Sequence, residues 1–137
     1  MATVYYRSRE HAEVIDVEFL TLQGGTRLLK LLVDSGFTGK SSVLLGDDAI
    51  DLIHAQVPPA QTAGALQGTH DRGWVTCRIP ELSFRCALIA IITDLSPLSL
   101  PPNVDGMAGL NFLREFARWG AEQTTNGWHF LLSDGNA

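Results

Sequence analysis

The chain has 137 residues, 45% of them hydrophobic and 18% charged, with a formal net charge of −5 and ten Lys and Arg. That length suits one domain with one core, and that balance excludes global disorder. The basic residues are scattered rather than clustered, which argues against a nucleic-acid partner.

The opening stretch, MATVYYRSREHAEV, lacks the apolar segment of a signal peptide. No apolar run approaches the roughly 18 residues that span a bilayer. The longest, Cys86 to Thr93, is strand-sized. Cys77 and Cys86 make no disulfide framework, so both are expected to be buried thiols of a reducing compartment. The expectation is a cytoplasmic protein of one domain over residues 1–137, with no membrane partner.

Residues 1–12 are an arm or an edge strand around Val4-Tyr5-Tyr6. Glu13 to Leu20 alternates, with Ile15, Val17 and Phe19 on one face and Asp16 and Glu18 on the other, which predicts a half-buried strand. Gln23-Gly24-Gly25-Thr26 is a turn signal that pairs this strand with Thr26–Val33 as a hairpin. The apolar run from Leu28 to Val33, with only Lys30 polar, then drives into Asp34-Ser35-Gly36, and Val43-Leu44-Leu45 follows. A charge at the end of so apolar a strand is costly without partners. The small Ser and Gly allow a tight turn that presents the carboxylate from a rigid base.

Asp47 to His54 reads as one short helix with acids at its start, closed by Pro58-Pro59. Gln61 to Asp71 is small, polar and Gly-bearing, and predicts a mobile loop or hairpin tip. Trp74 to Ile79 alternates as a strand, and Leu82 to Phe84 and Cys86 to Ile92 follow as two more. Leu95 to Asn103 holds three prolines and reads as a loop. Asn111 is the predicted N-cap of a helix over Phe112–Trp119, with Phe112/Phe116 and Leu113/Ala117 as i,i+4 pairs. Asn126-Gly127 signals a two-residue hairpin turn before a strand over Trp128–Leu132, and residues 133–137 are a tail. The sum is about seven short strands and two short helices, a mostly β chain.

This order of parts resembles the retropepsin-like aspartic proteases, the single-domain relatives of retroviral proteases. Their catalytic motif is Asp-Thr/Ser-Gly, matched by Asp34-Ser35-Gly36. A later apolar-apolar-Gly motif leads into a short helix and is matched by Met107-Ala108-Gly109 before Leu110-Asn111-Phe112-Leu113. The resemblance covers roughly Glu13 to Leu132. It implies a small closed β-barrel of the acid-protease type with one or two short helices, a homodimer, and an extended polypeptide as substrate. Ala108 departs from the family, which has a larger aliphatic there, and Met107 is expected to fill the space under the catalytic loop.

The chemistry that the resemblance implies needs two carboxylates a few ångströms apart. Both cannot ionise at that distance, so one keeps a proton. The ionised acid deprotonates a water between them, and the protonated acid donates to the substrate carbonyl. This chain carries one Asp-Ser-Gly, and neither Asp94 nor Asp105 sits in an apolar–Asp–small–Gly frame. A two-fold axis would supply the second Asp34, and no cofactor or metal is needed. Ser35 and Thr38 hydroxyls are expected to bond across the turn, Gly36 to permit close approach, and Met107, Ala108 and Gly109 to support the loop. Each also reads as ordinary turn or packing chemistry. Gly64-Ala65-Leu66-Gln67-Gly68, within Gly64 to Gly73, would be the flap over the peptide, or a plain surface loop.

Other motifs weigh less. Gly39-Lys40-Ser41 ends like a phosphate-binding loop, but that motif's first glycine falls on Asp34, whose charge repels phosphate. His11, His54, His70 and His129 lack ligand spacing. Arg114 and Arg118, one turn apart on the predicted helix, read as a solvated face. A peptide-binding or assembly module without proteolysis is the alternative function on the same fold.

Overall fold

The computed structural model describes residues 2–62 and 67–134. Ten strands run in chain order: β1 (Thr3–Arg7), β2 (Val14–Leu20), β3 (Thr26–Val33), β4 (Val43–Gly46), β5 (Ala55–Thr62), β6 (Gly68–Ile79), β7 (Phe84–Thr93), β8 (Gly106–Ala108), β9 (Arg118–Thr124) and β10 (Gly127–Ser133). One α-helical turn, α1 (Leu110–Leu113), follows β8.

The strands build a small closed barrel, as the mostly β pattern predicts. The hydrogen-bonded order is β2-β3-β8-β4-β7-β6, and β6 pairs back to β2 to close six strands. The alternation of β2 puts Ile15, Val17 and Phe19 wholly inside. Its register with β3 pairs Asp16 with Lys30, whose side chains form a 2.9 Å ion pair on the outer face. The barrel closes through only two rungs, Glu18↔Arg78 and Phe19↔Cys77. β5 hydrogen-bonds to the other part of β6, outside the ring.

A three-stranded sheet, β1-β10-β9, packs over the barrel. Phe130 and Leu132 enter the same core, with Val4, Tyr6 and Trp119 against it. Thr3–Arg7 is therefore an edge strand, not a loose arm. Ser133 is fully buried at the end of β10, and Asp134 still bonds Ala2, so the predicted tail starts too early.

Several local readings are corrected. Asp47–Leu52 is a 3-10 helix, because its buried residues, Ala49 and Leu52, are three apart and match a three-residue turn. It does not reach Pro58-Pro59, which lie inside β5. Proline is tolerated there because β5 is an edge strand, and the register shifts between Val57 and Ala60. Pro80–Leu82 is a 3-10 turn rather than the start of a strand.

The predicted helix over Phe112–Trp119 shrinks to α1, whose N-cap is Gly109 rather than Asn111. The amides of Glu115 and Phe116 bond three residues back, to Phe112 and Leu113, so the helix tightens and ends. Phe116 still meets Phe112, with ring centroids 5.3 Å apart. Arg118 and Trp119 are pulled into β9 by pairing with Ser133 and Leu132, so Arg114 and Arg118 share no helix face. The last hairpin turns at Thr125-Asn126, because Gly127 already pairs with Thr124.

Candidate functional site

β3 and β4 are consecutive in the chain but not neighbours in the barrel. β8 lies between them, parallel to β3 and antiparallel to β4. Ala108 is thus flanked by Val33 on one side and Val43 on the other. Residues 34–42 must arch over the end of β8, and Asp34-Ser35-Gly36 opens that arch.

Asp34 is half-buried at the barrel rim. Its amide donates to the Ala108 carbonyl at 2.9 Å, continuing the β3–β8 ladder. The Gly36 amide donates to Asp34 Oδ1 at 2.9 Å, and the Phe37 amide to the Asp34 carbonyl at 3.1 Å. Asp34 Oδ2 has no hydrogen-bond partner among the described residues. A β-carbon at Gly36 would meet Oδ1 at 3.1 Å, so the glycine leaves room for the carboxylate.

The second motif grips the arch from beneath. Leu110 N–H donates to Phe37 O at 2.9 Å, and Gly109 N–H donates to Ser42 O at 3.0 Å. Asn111, freed from capping, donates from Nδ2 to the Lys40 carbonyl at 3.3 Å and to Ser42 Oγ at 3.0 Å. These bonds satisfy backbone groups that a long, part-buried loop would otherwise strand. Asn111, Ser42 and Phe37 are loop-holding residues that sequence reasoning missed. Only the closeness of Asn111 to Gly109 hinted at the first.

Ser35 and Thr38 are exposed, and among the described residues neither hydroxyl has a hydrogen-bond partner. The loop is held by backbone bonds and Asn111 instead. Met107 faces away from Ala108 and packs under the arch through Phe37. Adjacent strand residues face opposite ways, and Met107 joins Leu44 and Ile91 in a second apolar cluster, with Phe37 and Leu32 packed on it. Ala108 is fully buried on the barrel side.

A cavity of about 660 Å³ opens at Asp34. Leu32, Val33 and residues 8–13 form one wall, and Ala121 and Trp128 contribute from the covering sheet. Glu13 lines it too, with Oε1 buried and without a hydrogen-bond partner among the described residues. The two imitator acids lie elsewhere. Asp105 Oδ2 accepts the Lys30 amide at 2.9 Å, and its own amide donates to the Lys30 carbonyl. Asp94 follows β7 at the Gly46 end of β4, whereas Asp34 stands at the Val43 end. Asp94's carboxyl is held below the usual carboxylate range, first by the Ser96 amide and then by the Ser96 hydroxyl.

β5 and β6 form a hairpin, paired out to Thr62↔Gly68. Of the predicted flap, Gln67 and Gly68 are at the loop end of this hairpin, while Gly64, Ala65 and Leu66 lie outside the described residues. Trp74 is half-buried in β6, opposite Ala55 and Ile89.

Lys40 is exposed on the arch, which leads to β4 rather than to a phosphate-binding helix. The histidines act singly: His54 meets Thr76 at 3.1 Å, His70 meets Thr93 at 3.0 Å, and His129 meets Thr124 at 3.2 Å. His11 is exposed beside Glu10. Among the described residues no cluster of three His, Cys, Asp or Glu is placed to hold a metal, and no helix is long and apolar enough to cross a membrane. No protein-family model matches the chain, and no curated protein matches it.

Proposed function

We propose that this protein is an aspartic endopeptidase that works as a homodimer, with one Asp34 from each chain. The observation that carries the reading is the placement of Asp34. Asp34 stands at the end of a half-buried strand, its backbone amide bonded to the Ala108 carbonyl and its carboxylate accepting from the Gly36 amide, and it opens into a cavity of about 660 Å³.

A two-fold axis beside that rim brings the two carboxylates together. The pair shares one proton, and its two apparent pKa values belong to the dyad. The ionised Asp34 takes a proton from a water between the two acids, and that water attacks the scissile carbonyl carbon. The protonated Asp34 donates to the carbonyl oxygen. Proton transfer to the amine then lets the C–N bond break. The rigid arch supports this chemistry because a dyad misplaced by an ångström loses rate steeply. The β5–β6 hairpin is the element suited to lie over an extended peptide and bond its main chain.

A second reading is a peptide-binding module on the same fold. It is favoured by the single Asp34 per chain and by the hydroxyls of Ser35 and Thr38, which have no hydrogen-bond partner among the described residues. The deciding experiment is cleavage of a diverse peptide mixture from acid to neutral pH, with Asp34→Asn beside the wild type. Cleavage by the wild type alone supports the peptidase. Equal cleavage by both overturns it, and peptide binding without cleavage by either supports the module.

A further inference from the structure

Cys77 in β6 and Cys86 in β7 stand directly opposite each other in the antiparallel ladder. Opposed residues of such a pair project from the same face, so both sulfurs lie on one side of the hairpin. That side is the core: Cys77 is fully buried, and Cys86 is half-buried and packs against the same cluster. The α-carbons of opposed residues are about 4.5 to 5.5 Å apart, inside the range of about 4.4 to 6.8 Å found across disulfides. Their β-carbons sit at about 4.5 to 5.5 Å, at or beyond the disulfide range of about 3.5 to 4.5 Å. A bridge here therefore draws the two strands together, and a strained bridge is readily reduced again.

We propose that Cys77 and Cys86 are a modification site, a reversible cross-strand disulfide formed by exchange with a low-molecular-weight disulfide such as glutathione disulfide. Cys86 reacts first, because it alone reaches solvent. Its thiol gives a proton to water, and the thiolate attacks one sulfur of the reagent. The reagent S–S bond breaks, and the departing thiolate takes up a proton. Cys77 then loses its proton and attacks Cys86 Sγ, expelling the second glutathione thiol. Two protein thiols are oxidised by two electrons, and one reagent disulfide is reduced to two thiols. Burial pushes the Cys77 thiol up to about 12, and burial and then the Glu115 carboxylate raise Cys86, so the exchange is slow at neutral pH.

The position gives the bridge a consequence. Cys77 also pairs with Phe19 at one of the two rungs that close the barrel. Bridging it to Cys86 draws β6 towards β7 at that rung and so shifts the β6 side of the seam.

The test incubates the folded wild-type chain with glutathione disulfide at mildly alkaline pH, quenches with acid, denatures, alkylates, and measures intact mass. The expected product has no alkylated cysteine, carries no glutathione, and is lighter by two hydrogen atoms. Cys77→Ala is expected to stop at one glutathione on Cys86, and Cys86→Ser to take none while folded. A wild-type chain that keeps two alkylatable thiols, holds the glutathione adduct, or bridges to a second chain overturns the proposal.

Discussion

Gly109 and Phe37 are so close that a β-carbon at residue 109 would stand 2.6 Å from the Phe37 carbonyl oxygen and 2.6 Å from its ring. Gly109 has ordinary extended backbone angles, so the requirement is for space rather than for conformational freedom. The second motif can pass beneath the Asp34 arch only where no side chain intervenes.

Gly109→Ala should therefore push the arch off β8. The cost should be about 1 to 3 kcal/mol, as for other overpacked sites, read as a lower midpoint in urea unfolding. If the peptidase reading holds, cleavage should fall by more than the loss of folded protein explains, because Phe37 leads back to Asp34 through one turn.

Ala108→Leu tests the same place from inside the barrel. Ala108 is fully buried between Val33 and Val43, so a larger aliphatic should destabilise by about 1 to 3 kcal/mol. A gain in stability on chemical denaturation would show that the residue leaves a void.

Phe19→Ala should be among the most damaging core changes. Phe19 is fully buried at the two-rung seam, and truncating a buried Phe costs about 3 to 5 kcal/mol. Against a typical total of about 5 to 15 kcal/mol, much of the stability would go. Arg78→Ala at the same seam removes a 2.6 Å ion pair with Glu18 that is partly exposed, and should cost under about 1 kcal/mol. Comparable losses in the two variants would contradict this account.

Ser96→Ala should raise the Asp94 carboxyl towards its usual value, because the hydroxyl bond goes while the Ser96 amide bond stays. A carboxyl depressed in the folded state stabilises the fold at pH above its unfolded value, and that contribution is lost as pH falls through the folded value. The variant should thus lose it at higher pH than the wild type, observed as an upward move of the Asp94 titration by carbon NMR.

A dyad shared between chains makes activity a property of pairs. If the peptidase reading holds, Asp34→Asn chains mixed in excess with wild type should suppress cleavage as subunits exchange, and specific activity should drop on dilution. Activity simply proportional to the wild-type chains present would locate both acids in one chain.

What the residues determined by themselves was local. The alternation of β2, the glycine turn after it and the apolar run into Asp34 specify a hairpin that ends in an acid, because period-two burial and turn chemistry act over a few residues. The Val75, Cys77 and Ile79 face of β6 was legible for the same reason. Tertiary structure decided the rest. Insertion of β8 between β3 and β4 joins segments some seventy residues apart, and no local periodicity encodes that. The Phe112–Phe116 spacing predicted a longer helix, but Arg118 and Trp119 gain backbone partners in β9 that a helix would deny them. Pro58-Pro59 marked a break in the sequence and became strand because only one edge of β5 needs donors. Ser35 and Thr38 looked like the clasp of the Asp34 loop. Asn111 and the backbone amides of Gly109 and Leu110 hold it instead, because β8 brings them beneath the arch.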